Sequence, residues 1–155
     1  MSVEENLRRT NFALIDCETI QDGQHQCIRK LSLLAKDGTT CLTMDFRPCR
    51  SYVDLDDKDC RSFRFCKRQI HHLEYYPLTY APRCDEAVDV VAEFLYAHRI
   101  DLLLYKGGCI EKRLSLAIGV PSYNIESLGA PKVNSHNPEE ELREHYNFLL
   151  TLNCI

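Results

Sequence analysis

Two closely spaced turn signals, "QDGQ" at 21–24 and "DGTT" at 37–40, constrain the start of this chain more than any other feature. Before the first stands a short apolar run, "NFALID" at 11–16. Between them, "QCIRKLSLLAK" (26–36) alternates imperfectly and then turns apolar, and after the second "CLTMDF" (41–46) alternates again. Strands joined by tight turns must pair antiparallel, so the spacing predicts a three-stranded meander.

Beyond a stretch from Arg47 to Leu78 that carries no clear period, the pattern changes. In "CDEAVDVVAEFLYAHR" the apolar residues Ala87, Val90, Val91, Phe94 and Leu95 recur every three or four positions, and acids open the run, so a helix is predicted. "IDLLLY" reads as a buried strand, "GGCIEKRLSLAIG" as a turn into a short helix, and "PSYNIESL" as another strand. A last helix is predicted from Pro138, with Leu142, Tyr146, Leu149 and Leu150 on its buried side. Within the stretch without clear period, "RSFRFCKRQIHHLEYY" admits a helix over part of its length. Three strands followed by alternating helices and strands imply an α/β fold: a mixed sheet, antiparallel in strands 1–3 and then parallel, flanked by helices.

The 155 residues, 45% apolar, suit one domain with a sizeable core, expected over 11–152 after a flexible N-terminus at 1–10. "MSVEENLRRTN" lacks the apolar centre of a secretory signal, and no apolar run approaches the roughly 20 residues that cross a bilayer. Nine irregularly spaced cysteines, an odd number, read as reduced thiols. The expectation is an intracellular protein, cytoplasmic or nuclear, with no membrane partner.

The first strand ends in Asp16 and Glu18. Residues two apart in a strand share a face, so these carboxylates converge and repel unless they lie in solvent or hold a cation. The net charge of −4 excludes a global basic field. Locally, Arg61, Arg64, Lys67 and Arg68 crowd a stretch that also holds Tyr52, Phe63, Phe65 and several aspartates. It reads either as a solvated connection or as a phosphate-contacting stripe with stacking aromatics. Lys106, before two glycines, suits a simple turn or a phosphate contact. His71 and His72 near Cys60 and Cys66 raise zinc, without any Cys-x-x-Cys pair to support it.

This element order, with "IDCE" closing the first strand, resembles the ribonuclease H-like fold and, within it, the DEDDh 3′-to-5′ exonucleases. "IHHLEYYPLTYAPRCDEAVDVVAEFL" is similar to that family's loop leading into a helix. "LLLYKGGCIEKRLSL" places Glu111, and "SHNPEEELREHYNFLL" places His136 and Glu141, where the family has its remaining acids and its histidine. Glutamate stands at 111 and 141 where the family uses aspartate. The resemblance implies a three-layer fold and two Mg²⁺ or Mn²⁺ ions held by Asp16, Glu18, Glu111 and Glu141. It also implies His136 as general base and single-stranded RNA or DNA as substrate. Read from the residues alone, Glu111 is equally an ordinary first-turn acid, and His136 and Glu141 a loop histidine and a solvated acid. The pattern is also similar to the Maelstrom domain. That likeness implies a module without catalysis or metal ions that binds RNA or a protein partner, for example in small-RNA silencing.

Overall fold

The computed structural model describes residues 1–22, 25–133 and 135–155. Three antiparallel strands form first: β1 (Phe12–Asp22), β2 (His25–Ala35) and β3 (Cys41–Asp45). The tip of the "QDGQ" turn, residues 23 and 24, lies outside the described residues. The "DGTT" turn is built as its sequence suggests: the Asp37 carboxylate accepts from the Thr39 and Thr40 amides and from the Thr40 hydroxyl. Two further strands, β4 (Leu102–Tyr105) and β5 (Ser122–Asn124), add in parallel on the other side of β1, giving the order β3-β2-β1-β4-β5. The protein is therefore an α/β protein with a five-stranded mixed sheet and helices on both faces.

Alternation along β1 assigns the two faces. Ala13 and Ile15 join Leu31, Leu33 and Leu103 under α3 (Ala87–Ala97) and α4 (Cys109–Ile118). Phe12 and Leu14 point the other way, to Leu34, Leu104 and the Leu142 and Leu149 of α5 (Pro138–Thr151). Asp16 and Glu18 continue the even-numbered parity and face α5. Val91, Phe94 and Leu95 are buried along α3, and Val90 is half-buried. On α5 the expected buried side differs at Leu150, which is 48% exposed: it stands about 100° around the helix from fully buried Leu149 and turns to solvent.

The ten N-terminal residues, set apart as flexible in the sequence reading, carry helix α1 (Val3–Arg9), closed by a capping box between Ser2 and Glu5. Its C-terminal carbonyls are tied to the sheet by Lys36. The ammonium donates to the carbonyls of Leu7, Arg8 and Thr10 at 2.7–2.8 Å and sits 5.0 Å from the centre of the Phe12 ring. Lys36→Met is expected to lower stability by about 1–3 kcal/mol, seen as a lower urea midpoint with an unchanged slope.

The same region fixes α5. Asn137 caps the helix by accepting from the Glu139 and Glu140 amides, and Pro138 takes the first position. Arg143 donates to the Gly38 carbonyl and the Tyr146 hydroxyl to the Lys36 carbonyl. Gly38 adopts a φ of 77°, and a Cβ there would stand 2.7 Å from the Tyr146 hydroxyl oxygen, so glycine alone permits this contact. Thus the β2–β3 turn sets where α5 crosses β1.

A bulge interrupts the β1–β2 pairing at the acidic end: Glu18 faces Lys30, but Thr19 faces Ile28, leaving Arg29 as the extra residue. Arg29 is 4% exposed, pairs with Asp45 at 2.7 Å and donates through Nε to the Glu74 carbonyl. It thereby anchors the excursion that the sequence left unread. That excursion contains α2 (Asp57–Cys66), continued by one wider turn over Lys67–His71. It closes over Ile20 and Cys27 with a cluster of Leu55, Phe63 and Tyr75. Among the described residues, no helix is long and apolar enough to cross a membrane.

Candidate metal centre

Just beyond Phe12–Leu14, the part of β1 that pairs with β4, three elements deliver acids to one place; β1 itself runs on past the acids to Asp22. Asp16 and Glu18 come from β1 and Glu141 from the first turn of α5, and a carboxylate oxygen from each lies within 4.8 Å of the other two. Glu111, at the start of α4, approaches from the opposite face: its Oε1 accepts from the Cys17 amide at 3.2 Å. Asp16 and Glu18 are each 9% exposed and Glu111 3%. Glu111 sits outside the close group of three, yet its charge acts on both Asp16 and Glu18.

Burial and crowding make these groups hold protons. Desolvation, a hydrogen bond to Glu141 and the charges of Glu141, Glu111 and Glu18 push the Asp16 carboxyl up to about 11. Glu18 rises to about 8, chiefly through desolvation and then Glu141 and Glu111. Glu111 rises to about 7 by desolvation, although its own amide and that of Cys17 favour its charged form. Cys17, buried between these acids, has its thiol pushed well up, which argues against a nucleophile there.

The donor set fits a hard divalent cation. All donors are carboxylate oxygens, and Asp16 Oδ2 and Glu111 Oε2 are buried without a hydrogen-bond partner. An orphaned buried oxygen is costly, and a cation between these groups would satisfy it.

The remaining sequence candidates fall around this centre. His136 is exposed and lines a recess of about 410 Å³ with His71, His72, Ser135 and Lys30. Lys30 stands directly across the ladder from Glu18, so this recess adjoins the acids. Arg64, Lys67 and Arg68 border a second, open recess with His72, and Arg61 lies exposed one turn back on α2. The stacking role is narrower than expected: Phe63 is buried, and Tyr52 packs edge-on against Phe63 and Tyr75, leaving Phe65 as the exposed ring. Lys67 also pairs with Glu74 at 2.6 Å. Lys106 follows β4, and its charge bears on His145.

Among the described residues, the thiols of Cys60 and Cys66 and the rings of His71 and His72 form no ligand group. His71 is instead a buried turn residue whose Nδ1 accepts from the Leu73 amide. His145 is 3% exposed, one turn along α5 from Glu141, with neither ring nitrogen hydrogen-bonded. Burial, then Lys106, lowers it to about 4, so it is neutral. The i, i+4 spacing from Glu141 was the available signal for its proximity.

No protein-family model matches this chain, and no curated protein matches it.

Proposed function

We propose that this chain is a ribonuclease H-like, metal-dependent nuclease of the 3′-to-5′ exonuclease type, acting on single-stranded nucleic acid. The observation that carries this reading is the convergence of Asp16, Glu18, Glu111 and Glu141 from three distant elements, with two buried oxygens lacking partners. The strand order supports it, because ligands of open α/β sheets bind beyond the carboxyl ends of the parallel strands, and these acids stand just beyond the part of β1 that pairs with β4.

Asp16, Glu18 and Glu141 would hold Mg²⁺ or Mn²⁺, with Glu111 closing the group from α4. Such ions, when bound, activate water and stabilise the departing 3′ oxygen. His136, on the exposed rim, takes the proton from the attacking water. Lys30 and the Arg61, Arg64, Lys67 and Arg68 surface attract the phosphate backbone, while Lys106 stays near the carboxyl end of β4.

The test is a 5′-labelled single-stranded RNA or DNA incubated with Mn²⁺ or Mg²⁺. A ladder shortening from the 3′ end is expected, and His136→Ala should slow it by about 100-fold or more without changing the thermal midpoint. One observation favours a second reading, a Maelstrom-like module that binds RNA or a protein partner without cleavage: Glu111 Oε1 is already engaged by the Cys17 amide. Retention of labelled RNA with no shortening under any divalent ion would decide for that reading.

A further inference from the structure

Three cysteines far apart in sequence meet where the excursion after β3 returns to the sheet. Cys27 lies in β2, Cys49 follows β3, and Cys84 opens the turn into α3. Two backbone hydrogen bonds bring the latter two segments together: the Arg47 amide donates to the Pro82 carbonyl at 2.7 Å, and the Cys84 amide to the Arg47 carbonyl at 2.8 Å. The three sulfurs lie within 4.8 Å of one another, and the Cys84 thiol stands 3.0 Å from Cys27 Sγ. None of the nine cysteines is in a disulfide.

We propose that Cys27, Cys49 and Cys84 form a three-thiolate site for a soft d¹⁰ divalent cation of the zinc class, with a fourth position open to solvent. Zinc binds thiolates at about 2.3 Å, which sets tetrahedral sulfur–sulfur separations near 3.8 Å. The three sulfurs reach that spacing with shifts below about 1 Å. A cavity of about 300 Å³, bordered by the three cysteines, Gln26, Arg50 and Asp85, leaves room for the fourth ligand. The Asp85 carboxylate is held by Arg83 at 3.1 Å, so solvent rather than Asp85 takes that place. The guanidinium of Arg83 lies against Cys49 at the rim of this cavity. None of the four acids of the nuclease centre borders this cavity.

The site has a structural consequence. Cys49 and Cys84 bracket the long excursion between β3 and α3, and Cys27 belongs to the sheet. A cation bridging them closes that excursion at its base, so binding is coupled to folding.

Titrating the full chain, kept reduced with a phosphine, with Co²⁺ tests this. Expected are an intense near-ultraviolet thiolate-to-cobalt band at one equivalent, its bleaching by Zn²⁺, and a rise in thermal midpoint with Zn²⁺. Cys49→Ser, at an exposed position, should weaken binding by at least about 10-fold, since even outer-shell changes cost that much. Cys60→Ser with Cys66→Ser should leave the band intact. Asp16→Asn should also leave it intact, which separates this site from the nuclease centre. Absence of the band, its persistence in a Cys49→Ser, Cys84→Ser double variant, or a Cys27–Cys84 disulfide whose reduction restores no cobalt uptake would each overturn the proposal.

Discussion

Without divalent cations, the folded chain is expected to lose stability steadily as pH rises above about 6.5, and Mn²⁺ or Mg²⁺ should restore it. The sign follows from the acids at the centre. Asp16, Glu18 and Glu111 bind protons more tightly folded, up to about 11, 8 and 7, than unfolded, near 3.8 to 4.5. The unfolded chain therefore binds fewer protons in this range, and stability falls with rising pH. Their contribution is complete below the unfolded values and is lost through about 7 for Glu111, then 8 for Glu18, and finally 11 for Asp16. His71 and His145, both lowered to about 4, oppose this only below their unfolded value of 6.5. Above that both are neutral in either state; near pH 9 the raised thiols of Cys17 and Cys154 add to the fall, while Lys36, lowered by burial, works against it. A cation at about 100 times its dissociation constant adds about 2.7 kcal/mol, or about 5–10 °C in midpoint for a domain of this size. Melting curves at pH 6.5 and pH 9, with chelator or Mn²⁺, measure this directly. A midpoint that is flat with pH and indifferent to Mn²⁺ would remove the metal centre.

Asp16→Asn is expected to abolish manganese-dependent shortening of single-stranded substrate, by at least about 100-fold, while leaving the fold intact. Asp16 lies in both the close group of three and the reach of Glu111, so its loss disturbs every other ligand. An amide is nearly the same shape, remains neutral, and can donate to Glu141. The variant should therefore be more stable than the parent at pH 9 without cations and should lose the stabilisation by Mn²⁺. Rate and stability thus move in opposite directions, which a variant that merely damaged the fold could not produce. Full activity in Asp16→Asn would end the nuclease reading.

The elements that the sequence reveals are those whose period survives local reading. β1 showed itself as the apolar run Phe12–Ile15, and the one face that strand geometry gives Asp16 and Glu18 is the face that meets α5. The acids of the first turn likewise marked where α3 begins, and Pro138 where α5 begins. What was illegible is the excursion after β3. Its helix α2 is strongly polar and buries only Phe63, and its place depends on Arg29, a residue made extra by a bulge that no local pattern announces. The aromatic rings read there as a stacking stripe became a small core because Ile20 and Cys27 lie beneath them.

By itself the sequence determined the five strands with α3, α4 and α5 and the shared face of Asp16 and Glu18 on β1, because these depend on side chains within a few residues of one another. Only the tertiary structure decided that Glu141 reaches Asp16 and Glu111 the adjoining Cys17 amide, that His145 is buried beside them, and that Cys27, Cys49 and Cys84 share a cavity. Those meetings join residues from separate elements. They are settled by how α4, α5 and the long excursion dock on the sheet, through contacts such as Arg143 with Gly38 and Arg29 with Glu74, and spacing along the chain carries no record of such docking.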